Sequence, residues 1–220
     1  MSHQHRLLDD ENRRILKNEY WSRLEKPVKL VFFTSQSPEC QYCDLVEQIL
    51  DEITDPELTN KIEVMKVDFD NDLDLRSKLG ILKAPAVVIQ GVNKGLIKYY
   101  GVPAGTEFPT FLETIVHVSN GDVHLPQSVA EEVESLEDKV NIKVFVTTAC
   151  PYCPKMLHSA YMFAMVNRNV EAEGWEVSGF PDIAQSYGVY AVPKVVVNDK
   201  VSWEGAVPPE HLLRKVKEAI

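Results

Sequence analysis

The chain has 220 residues, of which 45% are hydrophobic, and 33 acidic against 23 basic side chains leave a net charge of −10. This is ordinary globular composition, which excludes collagen-like, low-complexity and wholly disordered chains. The longest apolar stretch, 160–166, is too short to span a membrane, and the acidic balance excludes nucleic-acid binding through phosphate contacts. We expect a cytoplasmic protein, because the polar N-terminal segment lacks the apolar core of a secretory signal.

All four cysteines fall in two C-x-x-C motifs, Cys40-Gln41-Tyr42-Cys43 and Cys150-Pro151-Tyr152-Cys153. A structural disulfide framework would close longer loops, since a ring of four residues removes little entropy from the unfolded chain. Two interpretations remain, which are dithiol redox chemistry and a single zinc site with four thiolate ligands. Zinc ribbons place their halves about 15–20 residues apart. Cys43 and Cys150 are 107 positions apart, which favours redox chemistry.

The predicted elements of the first half begin with an amphipathic helix over 7–26. A strand, the first motif with a helix after it, a second strand, a helix, two further strands and a closing helix follow. The strands are predicted at 28–34, 61–67, 86–90 and 96–100, from short β-rich apolar runs bounded by turn residues.

The second half repeats this order. An acidic helix over 127–138 precedes strands at 141–147, 171–177, 194–198 and 201–204, with the second motif directly after the first of them. Each half therefore has the order β-α-β-α-β-β-α after its opening helix. The joint is predicted at 119–126, where Gly121 and Pro126 interrupt helical periodicity, which divides the chain into units 1–120 and 121–220.

A proline follows each motif at nearly the same distance, in Ala84-Pro85 and Val192-Pro193. With its strand, C-x-x-C motif, helix and proline, each half resembles a thioredoxin-fold unit. The tandem resembles the two-unit protein disulfide oxidoreductases, also described as glutaredoxin-like, of thermophilic archaea and bacteria. The resemblance implies an α/β fold, with a mixed sheet flanked by helices in each unit. It also implies a protein dithiol–disulfide oxidoreductase whose only redox groups are its disulfides, with no cofactor and no metal.

The expected catalytic residues are the four cysteines. Cys40 and Cys150 are predicted as helix N-caps whose thiolates the helix dipole stabilises, so that they attack, while Cys43 and Cys153 resolve the mixed disulfide. Pro151 is predicted at the first helical position, which leads us to expect more of the turnover at the second pair. The resemblance implies that Pro85 and Pro193 are cis and lie beside the dithiols. The expected substrate-binding residues are Tyr42, Ala84, Pro85, Tyr152, Val192 and Pro193.

The expected partners are proteins that carry disulfides or dithiols, together with an NADPH-dependent thioredoxin reductase as electron donor. Glutathione is the alternative donor and would make the protein a tandem glutaredoxin. The stretch 203–206, however, lacks the Gly-Gly pair and aspartate with which glutaredoxins commonly hold glutathione. A substrate-binding module whose redox chemistry is secondary is a third hypothesis.

Two questions about polar residues stay open. Thioredoxins carry a buried aspartate about six residues before the first cysteine, where this chain has Thr34 and Val144, so the base for the resolving thiols is not identified. His117, His124 and His158 share no ligand spacing with the cysteines and are interpreted as core or surface residues.

Overall fold

The computed structural model describes residues 6–220 and contains one mixed β-sheet with helices on both faces. The strands are β1 (Val28–Thr34), β2 (Ile62–Asp68), β3 (Ala86–Gln90), β4 (Leu96–Tyr100), β5 (Val140–Val146), β6 (Val170–Glu176), β7 (Lys194–Val197) and β8 (Val201–Glu204). The α-helices are α1 (Asp10–Ile15), α2 (Cys43–Ile53), α3 (Leu73–Lys78), α4 (Glu107–Asn120), α5 (Gln127–Glu134), α6 (Cys153–Val166), α7 (Pro181–Ser186) and α8 (Pro209–Ala219). The duplicated order of elements is confirmed, with several strand bounds shifted by one residue.

Two predicted helices are shorter than expected. The opening helix continues from α1 through a π-helical turn, Leu16–Tyr20, and a 3₁₀ turn, Trp21–Arg23, and then ends before Pro27. The acidic helix α5 ends at Glu134 instead of 138. The Asn167 side-chain amide donates to the carbonyls of Val133 and Leu136, at 2.7 and 2.9 Å, and so takes acceptors that a longer helix would use.

The strand order is β2-β1-β3-β4-β6-β5-β7-β8, so both halves contribute to one sheet of eight strands. In each half the strand before the motif pairs in parallel with one neighbour and antiparallel with the other. The halves join where β4 pairs in parallel with β6, in a register that runs from Leu96 opposite Glu171 to Tyr100 opposite Trp175. As a result β1 and β5 run in the same direction, and both motifs lie at the same edge of the sheet.

Alternate residues of each strand enter two hydrophobic cores. Leu30 and Phe32 belong to the larger core, which is covered by α2, α4, α5, α6, α8 and the opening helix. Val31 and Phe33 belong to the smaller core, beneath α3 and α7. Burial on both faces explains why β1 is an almost continuous apolar run rather than an alternating one.

A polar network lies on the smaller-core face, where the halves join. Lys98 of β4 is fully buried, and its ammonium group contacts Glu171, the Gly80 carbonyl at 3.1 Å and Glu173 at 3.6 Å. The Trp175 indole donates to Glu173 at 2.8 Å. Burial raises the pKa of Glu173 to about 7. The ammonium of Lys98 therefore compensates acidic groups that belong to the other half of the chain.

The segment between α4 and α5 contains the predicted joint, and Gly121 there ends α4 with a φ of 83°. The larger core contains residues from both halves. The division into units 1–120 and 121–220 stays a prediction, and residues 1–5 lie outside the described part of the chain. None of the helices within residues 6–220 has the length and hydrophobicity that a bilayer span requires.

We expect Lys98→Ala to destabilise the protein by about 3–5 kcal/mol, because it leaves buried acidic groups without their cation. Lys66→Ala is the matched control, since Lys66 is half-exposed and its contact with Glu47, at 2.7 Å, lies on the surface. Such surface pairs contribute about 0–1 kcal/mol. Urea unfolding at pH 7.5 measures both changes, and equal losses in the two variants would contradict the role of Lys98.

Candidate redox site

The first motif forms a turn between β1 and α2. Cys40 and Cys43 are joined by a disulfide with their Cα atoms 5.5 Å apart, and the Cys43 N–H donates to the Cys40 carbonyl at 3.4 Å. Cys43 is buried, whereas Cys40 is half-buried. The Ser35 N–H donates to the Cys43 sulfur at 3.2 Å. The half-buried residue is therefore the first of the pair that an incoming sulfur can reach.

The second motif forms the equivalent turn between β5 and α6, with a disulfide between Cys150 and Cys153. Both sulfur-bearing residues are buried here, since Cys150 is 6% exposed and Cys153 0%. The Cys153 N–H donates to the Cys150 sulfur at 3.1 Å. A backbone N–H at the start of a helix stabilises a thiolate in this position.

The prediction that Cys40 and Cys150 are helix N-caps is wrong. The helices begin at Cys43 and Cys153, and Tyr42 and Tyr152 occupy the cap positions. The physical reason is the turn that the first three residues of each motif form. Pro151 accordingly lies before the helix, and Pro154 lies in its first turn. The reason for expecting more turnover at the second pair therefore no longer holds. Because Cys150 is more deeply buried than Cys40, we expect more of the turnover at the first pair.

Both prolines that follow the motifs are preceded by cis peptide bonds, Ala84-Pro85 and Val192-Pro193, as the resemblance implies. Ala84 and Pro85 line the same cleft as Cys40. In the second half, the Val192 carbonyl oxygen lies 3.7 Å from the Cys150 sulfur. The two prolines are buried and the residues before them half-buried, so each cysteine pair has a partly accessible backbone segment beside it.

The cleft at the first site has a volume of about 440 Å³, and both halves of the chain line it. Its far wall is the segment 178–182, which follows β6. Glu176 holds this segment by accepting the N–H groups of Ser178 and Gly179, each at 3.1 Å. Lys83 and Asp182 form an ion pair of 2.8 Å between the two walls.

The second site is in turn contacted by the first half. The Thr106 N–H donates to the Thr148 carbonyl at 2.8 Å, and the Thr106 hydroxyl donates to the Cys150 carbonyl at 3.0 Å. Gly105 has a φ of +58°, and a Cβ atom there would lie 2.1 Å from the Thr148 oxygen. Only glycine fits this approach. Each redox site is thus contacted by a loop of the other half.

The two tyrosines of the motifs differ in exposure. Tyr152 is 68% exposed, whereas Tyr42 is half-buried and faces Gly179 across the cleft. Of the six expected substrate-binding residues, three therefore surround Cys40. Val192, Pro193 and Tyr152 lie at the second site.

The four thiols cannot share one zinc ion in this fold. Four strand steps separate β1 from β5, which at about 4.8 Å each corresponds to roughly 19 Å. Zinc–sulfur bonds are only about 2.3 Å long. The four-thiolate interpretation is therefore rejected in favour of two separate redox pairs.

Sequence reasoning missed a buried acid next to the second site. Glu107 follows Thr106 at the start of α4, is fully buried, and both its carboxyl oxygens lack a hydrogen-bond partner within residues 6–220. Burial raises its pKa to about 7. A glutamate in the first turn of a helix is ordinary in sequence, because it complements the helix dipole, so no local signal could have indicated its burial.

Comparisons with known proteins agree with this architecture. A thioredoxin-domain family model matches residues 140–218. The crystal structure of a protein disulfide oxidoreductase from Aeropyrum pernix K1 superposes with a TM-score of 0.85 and 28% identity, over 97% of this chain and 94% of that one. The chain therefore has a tandem thioredoxin fold, similar to that of this protein disulfide oxidoreductase. The resemblance and fold class inferred from the sequence are confirmed.

The same fold occurs in a second group of proteins. The alkylhydroperoxide reductase AhpF of Enterococcus faecalis superposes with a TM-score of 0.85 and 24% identity, over 95% of this chain and 99% of that one. The corresponding alkyl hydroperoxide reductase protein of Escherichia coli is 22% identical over 207 residues, which are 94% of this chain and 37% of that protein. Its Pseudomonas putida counterpart is 25% identical over 120 residues, 54% of this chain and 23% of that protein. The chain thus spans about a quarter to a little over a third of these curated relatives.

We expect a bulky maleimide to modify Cys40 before Cys150 in the fully reduced protein, because Cys40 is the less buried of the two. With the smaller reagent iodoacetamide the modification rates of the two cysteines should differ less, since the Cys153 N–H stabilises the Cys150 thiolate. Pulsed labelling followed by peptide mass spectrometry measures both rates, with the denatured chain as reference. Earlier modification of Cys150 by the bulky reagent would contradict the expected accessibility.

Glu107→Gln should make the protein more stable than wild type at neutral pH. The folded-state pKa of this carboxyl is about 7, above its unfolded value of 4.5. The free energy of unfolding of the wild-type protein therefore falls as the pH rises between these two values. The variant's advantage should therefore grow from pH 5 to pH 7.5 and reach at most about 3 kcal/mol. Urea unfolding across this range tests it, with exposed Glu39→Gln as the control. A constant difference between Glu107→Gln and wild type would refute the assignment.

Proposed function

We propose that this chain reduces or forms disulfides in other proteins, and that both C-x-x-C pairs take part. The observation that carries the proposal is the cleft at Cys40, where a redox disulfide with one half-buried sulfur adjoins the Ala84 backbone and the segment 178–182. A cleft with walls from both halves accommodates an extended segment of a substrate protein better than a compact small molecule. The protein disulfide oxidoreductase of Aeropyrum pernix supports the same chemistry.

In the reductive direction, the Cys40 thiolate attacks one sulfur of a substrate disulfide. The Cys40–substrate S–S bond forms, the substrate bond breaks, and the leaving substrate thiolate takes up a proton. Cys43, as a thiolate, then attacks the Cys40 sulfur and releases the second substrate thiolate, which is also protonated. Two electrons have passed to the substrate and the Cys40–Cys43 disulfide has formed. Oxidation is the same sequence in reverse.

The surrounding groups support each of these steps. The Ser35 N–H, 3.2 Å from the Cys43 sulfur, stabilises the resolving thiolate that forms in a buried position. The Ala84 backbone is the proposed partner of the extended substrate, and Tyr42 and Pro85 shape the cleft around it. At the second site Val192, Pro193 and Tyr152 take the corresponding roles. Cys150 attacks there, and Cys153 resolves.

We further propose that a flavoprotein thioredoxin reductase with NADPH restores the dithiols. The stretch 203–206, Trp-Glu-Gly-Ala, ends the edge strand β8 and contains neither the Gly-Gly pair nor the aspartate that a glutathione site would use. The half-buried Cys40 is also open to another protein, as such a donor requires. The reductase would thus act on this chain by the same disulfide exchange as a substrate does.

Insulin reduction by dithiothreitol tests the activity. We expect the wild-type chain to accelerate precipitation of the insulin B chain, and Cys40→Ser to lose more of this acceleration than Cys150→Ser because a protein substrate reaches Cys40 more easily. The variant with both substitutions should equal reductant alone. No acceleration by the wild type would rule out the proposed function.

The electron donor is tested by NADPH consumption with oxidised insulin as the final acceptor. We expect turnover with purified thioredoxin reductase, and little with glutathione plus glutathione reductase. The double Cys40→Ser, Cys150→Ser variant serves as the blank in both assays. Efficient turnover only in the glutathione assay would identify the chain as a tandem glutaredoxin.

A further inference from the structure

Three histidines that are distant in sequence meet on the side of the sheet covered by α4 and α6. His117 lies in the last turn of α4, His124 in the joint between α4 and α5, and His158 on α6. One ligand nitrogen of each lies within 4.8 Å of those of the other two. The ring centroids are 4.5 Å apart for His117 and His124, 5.3 Å for His117 and His158, and 5.8 Å for His124 and His158.

The three positions are held by elements of both halves. His117 is 1% exposed, His158 is half-buried and His124 is exposed, so the cluster extends from the protein interior to the surface. The His124 N–H donates to the Met162 sulfur at 3.4 Å, which fastens the joint to α6. Helices α4 and α6 pack directly against each other. The imidazoles therefore belong to a packed framework, with one exposed member through which a ligand could enter.

A core interpretation leaves part of this cluster unexplained. The Nδ1 atom of His117 is buried and has no hydrogen-bond partner within residues 6–220. Buried polar atoms in native proteins are almost always paired, so an unpaired ring nitrogen beside two further imidazoles requires a reason. The rings also meet edge to face, at 69° and 60° to His117, rather than through hydrogen bonds.

We propose that His117, His124 and His158 form a binding site for a divalent cation of the zinc type. Neutral imidazoles suit zinc, copper and nickel, whereas magnesium and calcium require oxygen ligands. Zinc–nitrogen bonds of about 2.0–2.1 Å place tetrahedral ligands about 3.3 Å apart, so the nitrogens need to approach by at most about 1.5 Å. Because the His124 side chain is exposed, a change of its rotamer can supply this movement. Three protein ligands leave the fourth position for water or an external ligand.

The charges around the cluster are compatible with a cation. The Glu113 carboxylate lies 3.7 Å from His117 Nε2, and its other oxygen accepts from Arg23 at 2.7 Å. The acidic and basic neighbours thus offset each other. The nearest acid can also orient His117, as carboxylates beside metal-bound histidines do.

This site would be independent of the redox cysteines. Both cysteine pairs are disulfides in the structure, and none of the four cysteines is free. A cation bound here would connect the joint to α4 and α6, and α6 is the helix that begins with Cys153. We therefore expect the metal to stabilise the arrangement of the two halves whether the dithiols are reduced or oxidised.

Calorimetric titration of the oxidised full chain with ZnCl₂ tests the site, because oxidation removes thiolate ligands. We expect one zinc ion per chain, and visible absorption of tetrahedral geometry when Co²⁺ replaces it. His124→Gln and His158→Gln should each weaken binding at least tenfold. His124 is exposed, so its variant is expected to fold, and circular dichroism verifies this.

His211→Gln is the matched control, since His211 lies on α8, outside the cluster. It should bind zinc like the wild type, and His3 and His5 remain in every variant as a constant background. The proposal is overturned if the oxidised wild type binds no zinc. It is also overturned if His124→Gln and His158→Gln bind as tightly as wild type, or if His211→Gln weakens binding equally.

Discussion

The parallel pairing of β4 with β6 is the contact on which the architecture depends. It turns two sheets of four strands into one sheet of eight, and it places a buried lysine of one half against acidic residues of the other. Tyr100 and Trp175 stack across the same pair, with ring centroids 3.7 Å apart. On the opposite face the Tyr161 hydroxyl of α6 donates to the Lys98 carbonyl at 2.8 Å. Both faces of the junction are therefore closed by contacts between the halves.

This junction also decides how the two redox sites are arranged. Because β1 and β5 run in the same direction, both motifs open at one edge of the sheet, separated by four strand steps. The loops that continue from β4 and β6 each reach the motif of the other half. Thr106 contacts Cys150, and the segment 178–182 closes the cleft at Cys40. Neither site is complete within its own half.

The duplication is not symmetrical in its chemistry. The first site has a half-buried first cysteine and a cleft, whereas the second has a buried first cysteine with a helical N–H directed at its sulfur. Next to the second site lies Glu107, a buried acid without a hydrogen-bond partner in the described chain. The first pair is the more accessible of the two. At the second pair, the helical N–H stabilises the thiolate of the first cysteine. The two pairs thus differ in accessibility and in the backbone groups that surround their sulfurs.

Much of this protein was determined locally by the sequence. Alternating and continuous apolar runs define the strands, and turn residues separate them, so the duplicated order of elements and the place of each C-x-x-C motif followed from neighbouring residues. The residue at which α2 and α6 each begin did not, since a turn of only three residues within each motif decides it. The proximity of His117, His124 and His158, the burial of Glu107 and the cleft at Cys40 arise from contacts between segments far apart in the chain. Only the tertiary structure decides these, because periodicity reports which face of an element is buried but not which element covers it.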